Sequence, residues 1–202
     1  MTDTSLLQAF NATCGGGLVL NKDVYDMQPG EALQLINFEP STEGGYRRLN
    51  GTTKYNSTIV PQVALANERI QMSAIFNDKI IVARGGTVSY GGTSGSWTSL
   101  ATSQGATYTY DFDKFNFSGT SKIIIATGEA AAFTVNTSFT VDVINATGGG
   151  TAPTNPKFVK TFANHVFYGG MSNSTHSILF SVPFSEDNFT SASGAGEIKV
   201  GD

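Results

Sequence analysis

Cysteine is almost missing from this chain. Cys14 is the single one among 202 residues, which excludes an intramolecular disulfide framework and a multi-cysteine zinc site. Charge is scarce as well. Asp, Glu, Lys and Arg together make up 14% of residues, and the formal net charge is −4, which argues against a broad nucleic-acid-binding surface. No apolar run reaches the roughly 18 residues of a membrane span. The opening, MTDTSLLQAF, has neither a basic segment nor a long apolar one, so no signal peptide is expected there. Helical periodicity is lacking across 60–202, so almost no helix is expected in that region.

What is abundant is Gly, Ser, Thr and Asn, beside 40% apolar residues. This mix suits many short strands joined by tight turns, in a chain long enough to bury a core. Three segments share one shape: FNDKIIVARGG at 76–86, FSGTSKIIIATGE at 117–129 and FANHVFYGG at 162–170. Each is an aromatic residue, a polar turn, then a β-branched or aromatic run closing on or near Gly. Anchored at Ile80, Ile123 and Val166, they recur every 43 residues. A strand-rich period of about 40–45 residues is the pattern of β-propeller blades.

The expected fold is therefore all-β, with an N-terminal arm over 1–61 and three propeller-like antiparallel repeats over 62–202. The repeats are placed at about 68–100, 108–145 and 157–200, and their core is expected at Phe76, Ile80, Trp97, Phe117, Ile123, Phe139, Phe162, Val166 and Phe189. Trp97 and Phe139 are read as equivalent positions. In the arm, a single helical turn is expected over Leu6, Leu7 and Phe10, a strand across 32–40, and a hairpin turn at Asn50-Gly51. EDNF at 186–189 is read as the third repeat's fourth strand, and EIKVGD at 197–202 as the start of a further one. Three blades do not close a ring, since propellers carry about four to eight. Either more polypeptide or other chains are expected to complete the sheets.

Chemistry is hard to find. Asp111-x-Asp113 with Asn116 hints at a calcium loop, but Phe115 stands where an EF-hand needs Asp or Asn, and its glycine is absent; the pair is read as a strand end or bulge. His165 and His176 are read as turn histidines rather than acid/base groups or ligands. The serines of GTSG at 92–95 and SGAG at 193–196 fail the nucleophile-elbow spacing. Cys14 reads as a small buried apolar residue. Glu43, Glu68, Glu129, Glu186 and Glu197 carry no local mark of a glycosidase pair. Gly15-Gly16-Gly17 lacks the Lys-Ser/Thr of a phosphate loop. Eight Asn-x-Ser/Thr triplets follow from an Asn-, Ser- and Thr-rich composition. Trp97 has the shape to stack a sugar or base, though a repeated core position is the simpler reading. The densest positive spot is Tyr46-Arg47-Arg48, read as a docking contact to an acidic partner or phosphate, against the plainer alternative of a solvated pair beside a turn. No catalytic residue, metal site or cofactor is expected.

The run GGLVLNKDVYDMQPGEALQLINFEPSTEGGYRRLNGTTKYN at 16–56 resembles bacteriophage structural proteins. Its pattern is Asn37 in a strand, a polar loop, then Gly45-Tyr46-Arg47-Arg48-x-x-Gly51 and Tyr55. Similar openings precede the β-propellers of tail nozzle proteins and of tail proteins that plug packaged DNA. The family often has Pro where Asn50 stands, and its members are much longer. The resemblance implies a virion component of the tail or neck without enzymatic activity. It would assemble as a homo-oligomer against neighbouring virion subunits, with Tyr46, Arg47 and Arg48 in the contact and transient contact with passing DNA. Two alternatives stay open: a virion-surface adhesion or decoration module binding host glycans, and an incomplete glycoside-hydrolase propeller.

Overall fold

The computed structural model describes residues 16–28, 30–40, 46–51, 53–62 and 69–200. The helical turn expected over Leu6, Leu7 and Phe10, and Cys14, lie outside the described residues. The chain divides into two units, Met1–Thr53 and Lys54–Asp202. The boundary expected after residue 61 therefore falls earlier, and residues 54–61 belong with the repeats.

Among the described residues the first unit holds four very short strands: β1 (Gly17–Leu18), β2 (Glu31–Ala32), β3 (Phe38–Pro40) and β4 (Tyr46–Arg48). β1 pairs with β2 in parallel, and β3 with β4 antiparallel. Between β1 and β2, the Asp23 carboxylate accepts from the Tyr25 N–H at 3.2 Å and opens a 3-10 turn over Val24–Asp26. The strand expected across 32–40 is broken. Asn37 adopts φ 61°, a left-handed conformation that Asn tolerates and a continuing strand does not. Its carbonyl accepts from the Leu49 N–H at 2.8 Å, which closes the β3–β4 pair. Asn50-Gly51 does not turn a hairpin, since β3 is the strand that β4 pairs with.

The second unit is three four-stranded antiparallel sheets, each a meander in chain order. Sheet 1 is β5 (Ile70–Phe76), β6 (Lys79–Arg84), β7 (Thr87–Gly91) and β8 (Thr98–Ala101). Sheet 2 is β9 (Asp111–Phe117), β10 (Thr120–Ala126), β11 (Phe133–Asn136) and β12 (Val141–Val143). Sheet 3 is β13 (Phe158–Phe162), β14 (His165–Met171), β15 (Ser174–Phe180) and β16 (Gly196–Lys199). The EIKVGD segment thus supplies the fourth strand of sheet 3, and EDNF lies in the loop before it. His165 opens β14 and His176 sits within β15, so both are strand residues rather than turn residues. Asp111 is the first residue of β9, as a strand end was expected there, and Asp113 lies within the strand.

The first hairpin of each sheet is built alike. Phe76 pairs with Lys79, Phe117 with Thr120 and Phe162 with His165 across two-residue turns. The turn residues Asn77-Asp78, Ser118-Gly119 and Ala163-Asn164 all have positive φ, the geometry that matches the right-handed twist of the strands. These phenylalanines mark the true repeat, with steps of 41 and 45 residues. The even step of 43 is an average: Ile80 and Val166 stand four residues beyond their phenylalanines, Ile123 six beyond its own.

The sheets stack face to face. Met72, Ala74, Phe76, Ile81, Ala83 and Val88 of sheet 1 pack with Ile123, Ile125, Phe133 and Val135 of sheet 2. The other face of sheet 2, with Phe117, Ile124 and Ala126, packs with Val159, Val166 and Tyr168 of sheet 3 and with Phe189 from its last loop. Sheet 2 is therefore covered on both sides. That is why β10 reads as an uninterrupted apolar run, with Ile123, Ile124 and Ile125 all fully buried. In each sheet the face carrying the pre-turn phenylalanine, called here the forward face, meets the opposite or back face of the next sheet.

Candidate functional site

The first unit has no core of its own among the described residues, where no residue is buried. Leu20 is 80% exposed and Tyr25 95%, and Leu18, Val24, Leu33, Ile36, Phe38 and Leu49 are exposed as well. Two-stranded pairs of two or three residues have little stability alone in water. Polar links hold the local shape. Glu31 accepts from Lys22 Nζ at 2.7 Å and from the Gln28 N–H at 2.9 Å, and the Lys22 hydrogen bond, followed by that of Gln28, draws its carboxyl below the usual range. Across the β3–β4 register, Glu39 faces Arg47, and Arg47 Nε donates to Glu39 Oε1 at 2.6 Å. Arg48 lies opposite Phe38 and is exposed. Tyr46 is half-buried, with its hydroxyl shielded from solvent and unpartnered among the described residues. The strand brings Tyr46, Arg47 and Arg48 together as expected from their adjacency, with one of the two cations already neutralised by Glu39.

The second unit's polar side chains are spent on joining its sheets. Asp111 Oδ2 accepts from the Val159 N–H at 3.0 Å, and Asp113 Oδ2 from the Thr161 N–H at 2.7 Å. The carboxylates of β9 thereby satisfy backbone donors on the free edge of β13. Burial pushes the Asp113 carboxyl up, but hydrogen bonds from Thr161 and Lys114 and the charge of Lys160 outweigh it, and the net shift is downward. Lys122 of β10 pairs with Glu186. Asp187 accepts from the N–H groups of Asn145, Ala146 and Thr147 and fixes the exit of sheet 2 against the last loop of sheet 3. Tyr168, fully buried, donates to the Glu186 carbonyl at 3.0 Å. Burial, then the nearby Glu186 and Asp187 charges, push its phenol far above the ordinary value.

At the joint between sheets 1 and 2, Gln71 is 1% exposed and fully satisfied. Its Oε1 accepts from the Gly86 N–H at 2.9 Å, and its Nε2 donates to the carbonyls of Gly105 and Tyr108. The sequence reading missed it, and its signal was a glutamine inside an alternating strand. Phe139 stacks on Tyr90 at 4.0 Å in the same joint. Trp97 is on the opposite, back face of sheet 1, where its ring lies against Gly91 and its Nε1 donates to the Thr58 carbonyl at 2.8 Å. Trp97 and Phe139 are therefore not equivalent. Residues 54–60 lie over that back face, with Asn56 bonded to the Gly92 and Gly95 carbonyls and Arg84 to the Val60 carbonyl.

The expected core residues divide by face. Phe76, Phe117, Ile123, Val166 and Phe189 are buried. Ile80 is half-buried on the back of sheet 1. Phe162, the equivalent of Phe76 and Phe117, is 74% exposed, against 6% and 7% for the other two. It is not a core residue, because among the described residues no sheet of the second unit packs on the forward face of sheet 3. A groove of about 410 Å³ runs there, lined in part by Phe158, Phe167, His176, Ile178 and Val200. His165 shares the aromatic cluster of that face with Phe167 and Phe180. Its Nδ1 lies 2.6 Å from the Ser181 carbonyl, so that nitrogen carries the proton and donates. Among the described residues, no three His, Cys, Asp or Glu side chains converge on a common point, and no helix is long and apolar enough to cross a membrane.

No family model, curated protein or solved structure matches this chain.

Proposed function

We propose that this protein is a structural component of a bacteriophage virion, in the tail or neck, that acts mechanically and without catalysis as part of a multimer. The observation that carries the proposal is the first unit. None of its described apolar side chains is buried, most are exposed, and its strands are too short to stand alone, so a neighbouring subunit is what gives such an arm a core. The resemblance of residues 16–56 to the openings of tail nozzle proteins supplies the setting. The three meander sheets, packed forward face to back face with β9 beside β13, are read as three blades of a propeller-like wall. The net charge of −4 suits a conduit, since a wall of that sign does not grip phosphates and lets DNA slide.

The glycan-binding alternative draws no support from Trp97, whose indole N–H and ring are already engaged within the unit. The proposal is tested by replacing Arg47 and Arg48 with Ala in the particle. Assembly is expected to weaken while the isolated chain stays folded. Normal assembly of the double variant overturns the docking role.

A further inference from the structure

The two joints inside the second unit are of one kind. The forward face of sheet 1 receives the back face of sheet 2, and the forward face of sheet 2 receives the back face of sheet 3. Among its described residues the second unit also carries one forward face and one back face that no other sheet of that unit covers. On the forward face of sheet 3, Phe162 is 74% exposed and Phe158 61%. On the back face of sheet 1, Ile75 is 67% exposed and Ile70 52%. Residues 54–60 line a groove over that back face together with Ile70, Ile80, Val82 and Trp97; Ile75 lies outside that lining, and both β5 side chains stay more than half exposed. The first strands are also where the existing joints meet most directly, through Asp111 and Asp113 on β13 and through the Tyr110 N–H on the Gln71 carbonyl. Lys160, the one cation on β13, is turned to Asp111 Oδ1 and the Phe112 carbonyl, so it sets no unpaired charge in the way.

We propose that a second copy of this chain covers both faces, head to tail. Sheet 3 of each copy packs its forward face on the back of sheet 1 of the other, and two copies close a ring of six sheets. The occupant is argued from complementarity of type. Each joint within the second unit joins a forward to a back face, and its described residues expose one of each. Heterologous contacts of this sort form a closed ring when the rotation permits, and six four-stranded sheets fall within the four to eight of known propellers. The proposal rests on the propeller-like reading of the three sheets, but not on where the assembly works.

The test is light scattering on the size-separated 202-residue chain across a concentration series, with Phe162→Asp and Ile75→Asp variants. Both side chains are exposed in the single chain, and circular dichroism checks that each variant keeps its fold. Wild type is expected at twice the 21.3 kDa chain mass, and each variant at the single-chain mass. An equimolar mixture of the two variants is expected to regain a dimer, because one of its two joints then has both native faces. Wild type that stays at the single-chain mass overturns the ring, as does a dimer that survives Phe162→Asp. A dimer that survives Ile75→Asp shows sheet 3 pairing with itself and also overturns it. Failure of the ring leaves the arm's docking untouched, and failure of the Arg47 and Arg48 test leaves the ring untouched.

Discussion

Asp113 on β9 accepts two hydrogen bonds from Thr161 on β13, one from the backbone N–H at 2.7 Å and one from the hydroxyl at 2.8 Å. A side chain of sheet 2 thus does for the edge of sheet 3 what a further strand would do. Sheet edges left with free donors are sites of unwanted pairing, and here the edge is closed by carboxylates.

Replacing Asp113 by Ala should destabilise the second unit by about 1–3 kcal/mol, since it leaves a part-buried donor without its partner. The folded-state pKa of Asp113 lies below its ordinary value. The stability it contributes is therefore complete above the unfolded value near 3.9 and is lost as pH falls through the folded pKa. Denaturant melts of wild type and Asp113→Ala are expected to differ at neutral pH and to converge in strong acid. A constant gap down to the lowest pH would contradict the assignment.

The three pre-turn phenylalanines should separate sharply under truncation. Phe117→Ala should cost about 3–5 kcal/mol, the usual range for a buried aromatic. Phe162→Ala, measured at a concentration where single chains prevail, should fall within about 0.5 kcal/mol of wild type. Equal costs would mean that Phe162 is covered in the single chain.

Gly91 faces the indole of Trp97, and a Cβ there would come within 2.7 Å of the ring. Gly91→Ala should therefore push the ring outward, break its hydrogen bond to Thr58 and cost about 1–3 kcal/mol by overpacking. Trp97 is the single tryptophan, so its fluorescence reports the change directly. A red-shifted emission is expected, and an unchanged spectrum with unchanged stability would show that the 54–60 segment does not hold the ring.

Gln71 should behave as a buried keystone. Gln71→Leu removes the acceptor of the Gly86 N–H and the donor to two carbonyls. A loss of about 1–3 kcal/mol is expected from the donor left unmade, read as a lower denaturation midpoint with an unchanged slope.

The sequence carried the three repeats and the all-β class clearly, because turn residues and period-two alternation are local signals. The fourth strand of sheet 3 did not follow: EDNF is loop, and Gly196–Lys199 supplies it. The even spacing of Ile80, Ile123 and Val166 misled. Counting apolar runs ignores where the turn falls, and the turn fixes the register. Faces were the harder matter. Phe162 precedes a two-residue turn of positive φ as Phe76 and Phe117 do, yet among the described residues no sheet packs on its face and it is exposed. Asp111 and Asp113 looked like an interruption because their partners, Val159 and Thr161, lie 48 residues away. In the arm, the apolar content of 32–40 hid the break at Asn37, which one backbone angle decides.

The most direct measurement is a reconstruction of the intact particle that carries this chain. The account predicts several symmetric copies in the tail or neck, with residues 16–51 buried against neighbouring subunits. Copies standing on the outer surface with that segment bare to solvent would contradict it.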